Sequence, residues 1–165
     1  RAKNRGAAEA HGEVFLFLDA DSRMDPCLAQ KVYGCYKKGY LMGTIRIIPD
    51  RSDWMARLFF NFIHYGKKLV HVAATMGYCG RELFCAIGGF DPEIKHAEDL
   101  EFFTRAKKAL EKRGREWCVI DDAPIATSTR RMDRFPLKLG YPLTFLEWAF
   151  GGFLGFQRKK YIAYR

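Results

Sequence analysis

The sequence predicts an α/β fold, a sheet with flanking helices, and three observations carry that expectation. Val14 to Leu18 is a wholly apolar run, too short and too continuous for an amphipathic helix, so it predicts a buried strand. Stretches with apolar residues at helical spacing alternate along the chain with short β-rich runs, and glycine or proline marks most of the boundaries. The resulting order is strand, helix, strand, long helix, loop, helix, strand, which suits a sheet with helices packed against it.

Each element follows from its own residues. Asn4 to Ala10 is rich in alanine and predicts a helix that Gly12 ends. After the strand at 14–18, Asp25-Pro26 opens a second helix, with proline at a first-turn position, that runs through Leu28, Val32 and Tyr36 to Gly39. Leu41 to Ile48 predicts a strand that stops at Pro49-Asp50. From Ser52, the expected N-cap, the residues Trp54, Met55, Leu58, Phe59, Phe62, Ile63, Leu69 and Val70 recur at helical spacing. Met76 to Asp91 is punctuated by glycine and predicts a loop built around one short helix between Arg81 and Ile87, with a turn at Gly88-Gly89. Glu98 to Arg113 predicts a helix with Leu100, Phe103, Ala106 and Leu110 on one side and Gly114 as its stop. Trp117 to Ile120 follows as a short strand, and no internal repeat or low-complexity tract interrupts the chain.

The 165 residues have the length of one domain, and 48% apolar content with 15% aromatic supplies a core, which excludes a disordered chain. A formal charge of +9 favours an anionic partner without choosing among phosphates, nucleic acid and acidic lipid. The five cysteines are odd in number and contain no CxxC pair, which argues against a disulfide framework or a zinc knuckle and fits a reducing cytoplasm. Arg1 to His11 is charged and alanine-rich, unlike a signal peptide. The last segment, 135–165, differs in kind: between Lys138 and Arg158 its only charge is Glu147, aromatic residues crowd both ends, and Arg158 to Lys160 follow. Pro142, Glu147 and the glycines at 151, 152 and 155 argue against a spanning helix and for an aromatic, basic-flanked stretch in contact with a membrane surface, with a core or dimer helix as the other reading.

Two acidic motifs carry the chemistry. "LDADS" puts Asp19 and Asp21 at the carboxyl end of the first strand, where open α/β sheets bind ligands. Residues two apart on a strand point the same way, so both carboxylates can face one Mg²⁺ or Mn²⁺ if the strand persists that far. The plainer reading is that Asp19 ends the strand and Asp21 or Ser22 caps the next turn. "HAEDLEFFTRA" puts Glu98 and Asp99 at the start of a helix, either as first-turn charge or as a general base for a hydroxyl. His96 is expected in solvent. His64 and His71 share a helix face with nothing acidic or thiolate in sequence to complete a site.

Taken in order, "KNRGAAEAHGEVFLFLDADS" followed by "GRELFCAIGGFDPEIKHAEDLEFFTRA" resembles the family 2 inverting glycosyltransferases of the GT-A fold. The resemblance rests on four features in order: an Asn-x-Gly helix start, the DxD, the Gly-Gly-Phe-Asp turn and the Glu-Asp pair. It covers Lys3 to Lys107 and, more loosely, extends to Arg131. It implies a partial, Rossmann-like nucleotide-diphospho-sugar transferase sheet over 1–134, the C-terminal portion of such a domain, lacking the N-terminal part of the nucleotide-binding half. It further implies that Asp19 and Asp21 hold the metal, Asp99 is the base with Glu98 beside it, and Gly88, Gly89, Phe90 and Asp91 shape the acceptor pocket. Lys3, Asn4, Ala20 and Arg130 would then lie toward a nucleotide-diphospho-sugar donor. The acceptor would be lipid-linked or a saccharide. The absence of a Gln-x-x-Arg-Trp motif, with "STRRM" at Ser128 to Met132 instead, points to single addition.

Two other classes compete. Haloacid-dehalogenase-like phosphatases also carry a DxD at a strand end and a later acidic pair such as "IDDA", Ile120 to Ala123, but Arg23 stands where their first motif has Thr or Val. A basic nucleic-acid-binding module accords with the charge, yet the basic residues are scattered and no recognition signature is present, so nucleic acid is not an expected partner.

Overall fold

A computed structural model describes residues 2–69, 73, 76–94 and 98–130. Within them the chain is mixed α/β, in the order α1 (Ala2–Glu9), β1 (Val14–Phe17), β2 (Ser22–Met24), α2 (Leu28–Lys37), β3 (Met42–Pro49), α3 (Trp54–Leu69), β4 (Gly77–Gly80), α4 (Arg81–Ala86), α5 (Glu98–Glu111) and β5 (Cys118–Thr127). The expected tail at 135–165 lies outside the described residues, as do His71 and His96.

One five-stranded mixed sheet has the order β1-β4-β3-β5-β2. β4 runs antiparallel to both β1 and β3, and β3 runs parallel to β5, so β1, β3 and β5 all point the same way. Their carboxyl ends therefore share one edge: Asp19 beyond β1, Asp50 beyond β3 and Ser128 beyond β5. β2 folds back antiparallel on β5, with Ser22 opposite Thr127, and brings Asp21 to the same edge.

The strand expected at 14–18 forms over Val14–Phe17, where both of its faces are covered. Phe15 and Phe17 join one apolar cluster with Phe84, Phe90, Phe102 and Phe103, while Val14 and Leu16 pack against another built on Leu28, Val32, Tyr78 and Ile125. Burying a ring of this size contributes about 1.5–3 kcal/mol, so the aromatic cluster dominates the packing around the site. Phe17 meets Phe90 edge-on at 4.9 Å, and Phe90 stacks on Phe102 at 4.1 Å.

Several expectations need correction. The glycine-punctuated stretch from Met76 is not all loop: Gly77–Gly80 is β4, hydrogen-bonded between β1 and β3. Glycine serves close approach there, since a Cβ on Gly77 would lie 2.4 Å from the Gly43 carbonyl oxygen and 2.8 Å from the Phe103 ring. Ser22–Met24, where no strand was expected, is β2, and the last strand runs on to Thr127 rather than stopping at Ile120. Ser52 is not the cap of α3. Asp53 is, its side chain accepting from the Met55 N–H at 3.2 Å and its carbonyl from Arg57 at 3.0 Å.

Candidate functional site

β1 ends at Phe17, so Asp19 and Asp21 do not share a strand face as the alternation argument supposed. They stand instead in a tight turn, closed by the Ser22 N–H donating to the Asp19 carbonyl at 3.1 Å, with exposed Ala20 between them. The turn replaces the ladder because β1 has no partner beyond Phe17, which already pairs with the first residue of β4. Both aspartates face solvent, with the Asp19 side chain 48% exposed.

Lys3, on α1, is the point where distant acids meet. Its ammonium lies 2.5 Å from Asp99 Oδ1, 3.5 Å from Glu98 Oε1 and 3.8 Å from Asp19 Oδ1. The contact with Asp99 joins residues 96 apart in the chain. Both side chains of that pair are mostly buried, each 22% exposed, which leaves the interaction less screened than a surface pair. Burial raises the Asp99 carboxyl above its usual range, with the nearby Glu98 and Asp19 charges adding to the rise, and the Lys3 hydrogen bond and charge offset only part of it. Burial alone would lower the Lys3 ammonium, but Asp99, helped by Asp19 and Glu98, outweighs it and raises the group.

Asn4, the next residue on α1, fastens the Gly-Gly-Phe-Asp turn. Its side-chain amide donates to the Phe90 carbonyl at 2.7 Å, and its oxygen accepts from the Phe90 N–H at 2.9 Å. Both polar ends of Asn4 are thus engaged in structure. Gly88 and Gly89 adopt φ of +77° and +69° at the end of α4, and a Cβ on Gly89 would come within 2.9 Å of the Asn4 oxygen. Phe90 is buried and lies beneath the Lys3 ammonium, 5.4 Å from its ring centre. Asp91 turns to its own chain and accepts from the Glu93 N–H at 2.9 Å.

Two groups here escaped the sequence reading. Arg105 on α5 bonds Glu101, the Ile87 carbonyl and the Gly89 carbonyl, locking the glycine turn to the helix that carries Asp99. Only its position four residues after Glu101 hinted at a role. Asp50, read as a strand stop, accepts from the Thr129 N–H at 3.1 Å and its hydroxyl at 3.0 Å. Burial would raise the Asp50 carboxyl, but the two Thr129 bonds and Arg51 hold it below the usual range. Asp50 thereby pins the loop after β5, whose Ser128 N–H donates to the Asp21 carbonyl at 3.2 Å. Arg130 is exposed on this loop, its Nε donating to Ser128 Oγ at 3.1 Å.

The remaining candidates fall elsewhere. Asp121 and Asp122 sit on β5 and engage His64, Lys68 and Lys31. His64 does have an acidic neighbour, at 3.0 Å from Asp121, which the fold supplies from a distant strand. Among the described residues no group of three or more His, Cys, Asp or Glu side chains forms a metal cage. All five cysteines are free thiols. No described helix is long and apolar enough to cross a membrane. No protein-family model matches the chain, and no curated protein sequence matches it.

Proposed function

We propose that this chain carries the metal-side and acceptor-side machinery of a GT-A, family 2 inverting glycosyltransferase that adds a single sugar from a nucleotide-diphospho-sugar to an acceptor hydroxyl. The observation that carries the reading is the meeting of Asp19, Glu98 and Asp99 around the Lys3 ammonium, at the shared carboxyl edge of β1, β3 and β5. Motifs that the resemblance orders along the sequence are also neighbours in space: Asn4 holds Phe90, and Lys3 holds Asp99.

Asp19 and Asp21 would hold Mg²⁺ or Mn²⁺. Their exposed oxygens suit a hard cation that keeps several waters and completes its shell with substrate phosphates, for which one or two protein carboxylates suffice. When bound, the cation neutralises charge on the diphosphate leaving group. The protein's own groups do the rest. Asp99 accepts the proton of the acceptor hydroxyl, and its raised pKa brings its basicity closer to the working pH. As that proton leaves, the acceptor oxygen bonds to the anomeric carbon and the carbon–oxygen bond to the diphosphate breaks, inverting the centre without an enzyme nucleophile. Lys3 fixes the Asp99 carboxylate and balances its charge against Asp19 and Glu98. Arg130, on the loop tied to Asp21, is assigned to the donor phosphates.

The phosphatase reading requires its acidic pair beside the DxD, and Asp121 and Asp122 are instead engaged with basic side chains along β5. The test is a panel of nucleotide sugars with Mn²⁺ and the protein at its full natural length, comparing wild type with Asp21→Ala and Asp99→Asn. Both variants are expected to lose transfer, and only Asp21→Ala to lose metal-dependent donor binding as well. Unchanged turnover in Asp99→Asn removes Asp99 as the base, and release of phosphate from a simple phosphomonoester revives the phosphatase.

A further inference from the structure

Helix α3 is built inside out for a surface helix in water. Its sheet side buries Ala56 and carries polar and charged groups: Asn61 accepts from Arg46 at 2.9 Å, and His64 and Lys68 both reach Asp121. Its outward side carries Trp54, Leu58, Phe62, Tyr65 and Leu69, which are 67%, 62%, 60%, 59% and 84% exposed. Their spacing of four, four, three and four residues confines them to an arc of about 80° on a 3.6-residue helix. A helix packed on a sheet normally turns such a stripe toward the core.

We infer that this face docks on a lipid bilayer surface carrying anionic headgroups. Charge selects that occupant. From Trp54 to Arg81 the chain has no Asp or Glu to oppose an anionic surface, and the first turn of α3 carries the exposed Arg57. A net charge of +9 draws the molecule to an anionic surface and opposes pairing with a second copy of itself. Trp and Tyr, apolar bodies with polar tips, suit the headgroup boundary, and an interfacial helix lies flat with its apolar face about 5–10 Å deep. The 16 residues of α3 extend about 24 Å, enough to lie along the surface. α3 starts just past Asp50, so its first turn lies near the edge that also carries Asp19 and Ser128. The docking face stands on the helix alone; its corollary, a lipid-borne acceptor, rests on the transferase reading.

The test uses the 165-residue chain with Trp117→Phe and Trp148→Phe, so that Trp54 is the one tryptophan within it, after thermal melting verifies that the fold survives. It is mixed with phosphatidylcholine vesicles containing phosphatidylglycerol, with or without bromine on the acyl chains. Trp54 emission is expected to shift to the blue and to be quenched by the brominated lipid. Leu58→Glu together with Leu69→Glu should lower the vesicle-bound fraction by about tenfold or more while leaving the melting temperature unchanged. Three results overturn the inference: vesicle binding with Trp54 unquenched, which assigns contact to another segment such as 138–157; a dimer in solution that the Glu substitutions dissociate; or a large fall in melting temperature in those variants, which means that the face is covered within the chain. Transfer to a soluble acceptor, measured separately, reports on the catalytic reading and leaves the docking result independent of it.

Discussion

Helix α5 hides Phe102, Phe103, Ala106 and Leu110 completely, while α3, two residues longer, leaves Trp54, Leu58, Phe62, Tyr65 and Leu69 in solvent. Both helices show apolar residues at the same period. In α5 the stripe meets the aromatic cluster under β1, and the charged side is free to present Glu98 and Asp99 to Lys3. In α3 small Ala56 and the polar Asn61, His64 and Lys68 meet the sheet, the last three through Arg46 and Asp121, while Trp54, Leu58, Tyr65 and Leu69 point outward. The difference teaches that periodicity gives a helix and its stripe, whereas the partner surface decides which side is inside.

The largest effect expected from this contrast is catalytic. Asp99→Asn, at the first turn of α5, should lower transfer by about 10²–10⁴-fold with the fold intact, as loss of a general base does; a single-turnover assay decides it. Next is packing: Phe102→Ala should cost about 3–5 kcal/mol in denaturant unfolding, against less than about 0.5 kcal/mol for Leu58→Ala on the exposed side of α3. Equal costs would mean that the two stripes are equally buried and would dissolve the comparison.

Charge gives smaller effects with opposite pH signatures. Lys3, whose folded pKa is raised above 10.5, contributes stability that is complete at neutral pH and lost only as pH rises through that higher value. Removing it takes away the hydrogen bond and charge that hold the Asp99 carboxyl down, so the Asp99 folded pKa climbs further and the folded state binds more protons than the unfolded one. Lys3→Met should therefore be less stable than wild type by about 1–3 kcal/mol at neutral pH, a deficit that shrinks as the carboxylates protonate on acidification. Lys67, on α3, is held down to about 8 by burial, so while charged it opposes folding. Wild type should gain stability between about pH 8 and 10.5, where the folded state has released a proton that the unfolded state still binds, and Lys67→Met should start about 1 kcal/mol more stable at pH 7 and lose that lead across the window. Chemical denaturation at stepped pH reads both.

Much of the candidate site's cluster was legible before any fold was known. "LDADS", "GGFD" and "AEDL" each pair a chemical type with a local signal, a strand end, a turn or a helix start, and those signals depend on neighbours in sequence. Asp19, Glu98 and Asp99 were nominated that way, and they meet. What could not be read was the agent that gathers them: the resemblance placed Lys3 toward the donor, and only the fold shows its ammonium among Asp19, Glu98 and Asp99. Arg105 and Asp50 were invisible for the same reason: their partners, the Gly89 carbonyl and Thr129, come from other elements. β4 was missed because its glycines look like turn residues and are in fact spacing for the Gly43 carbonyl and the Phe103 ring.

The sequence by itself determined the helices, the first strand, its acidic end and the chemical types available for catalysis, since hydrophobic period, capping and turn preference act over a few residues. Only the tertiary structure decided that the carboxylates converge on Lys3, that β4 fills the gap between β1 and β3, and that α3 wears its apolar face outward. Those outcomes depend on contacts between residues far apart in the chain, and their energies exist only once the sheet has brought the partners within a few ångströms.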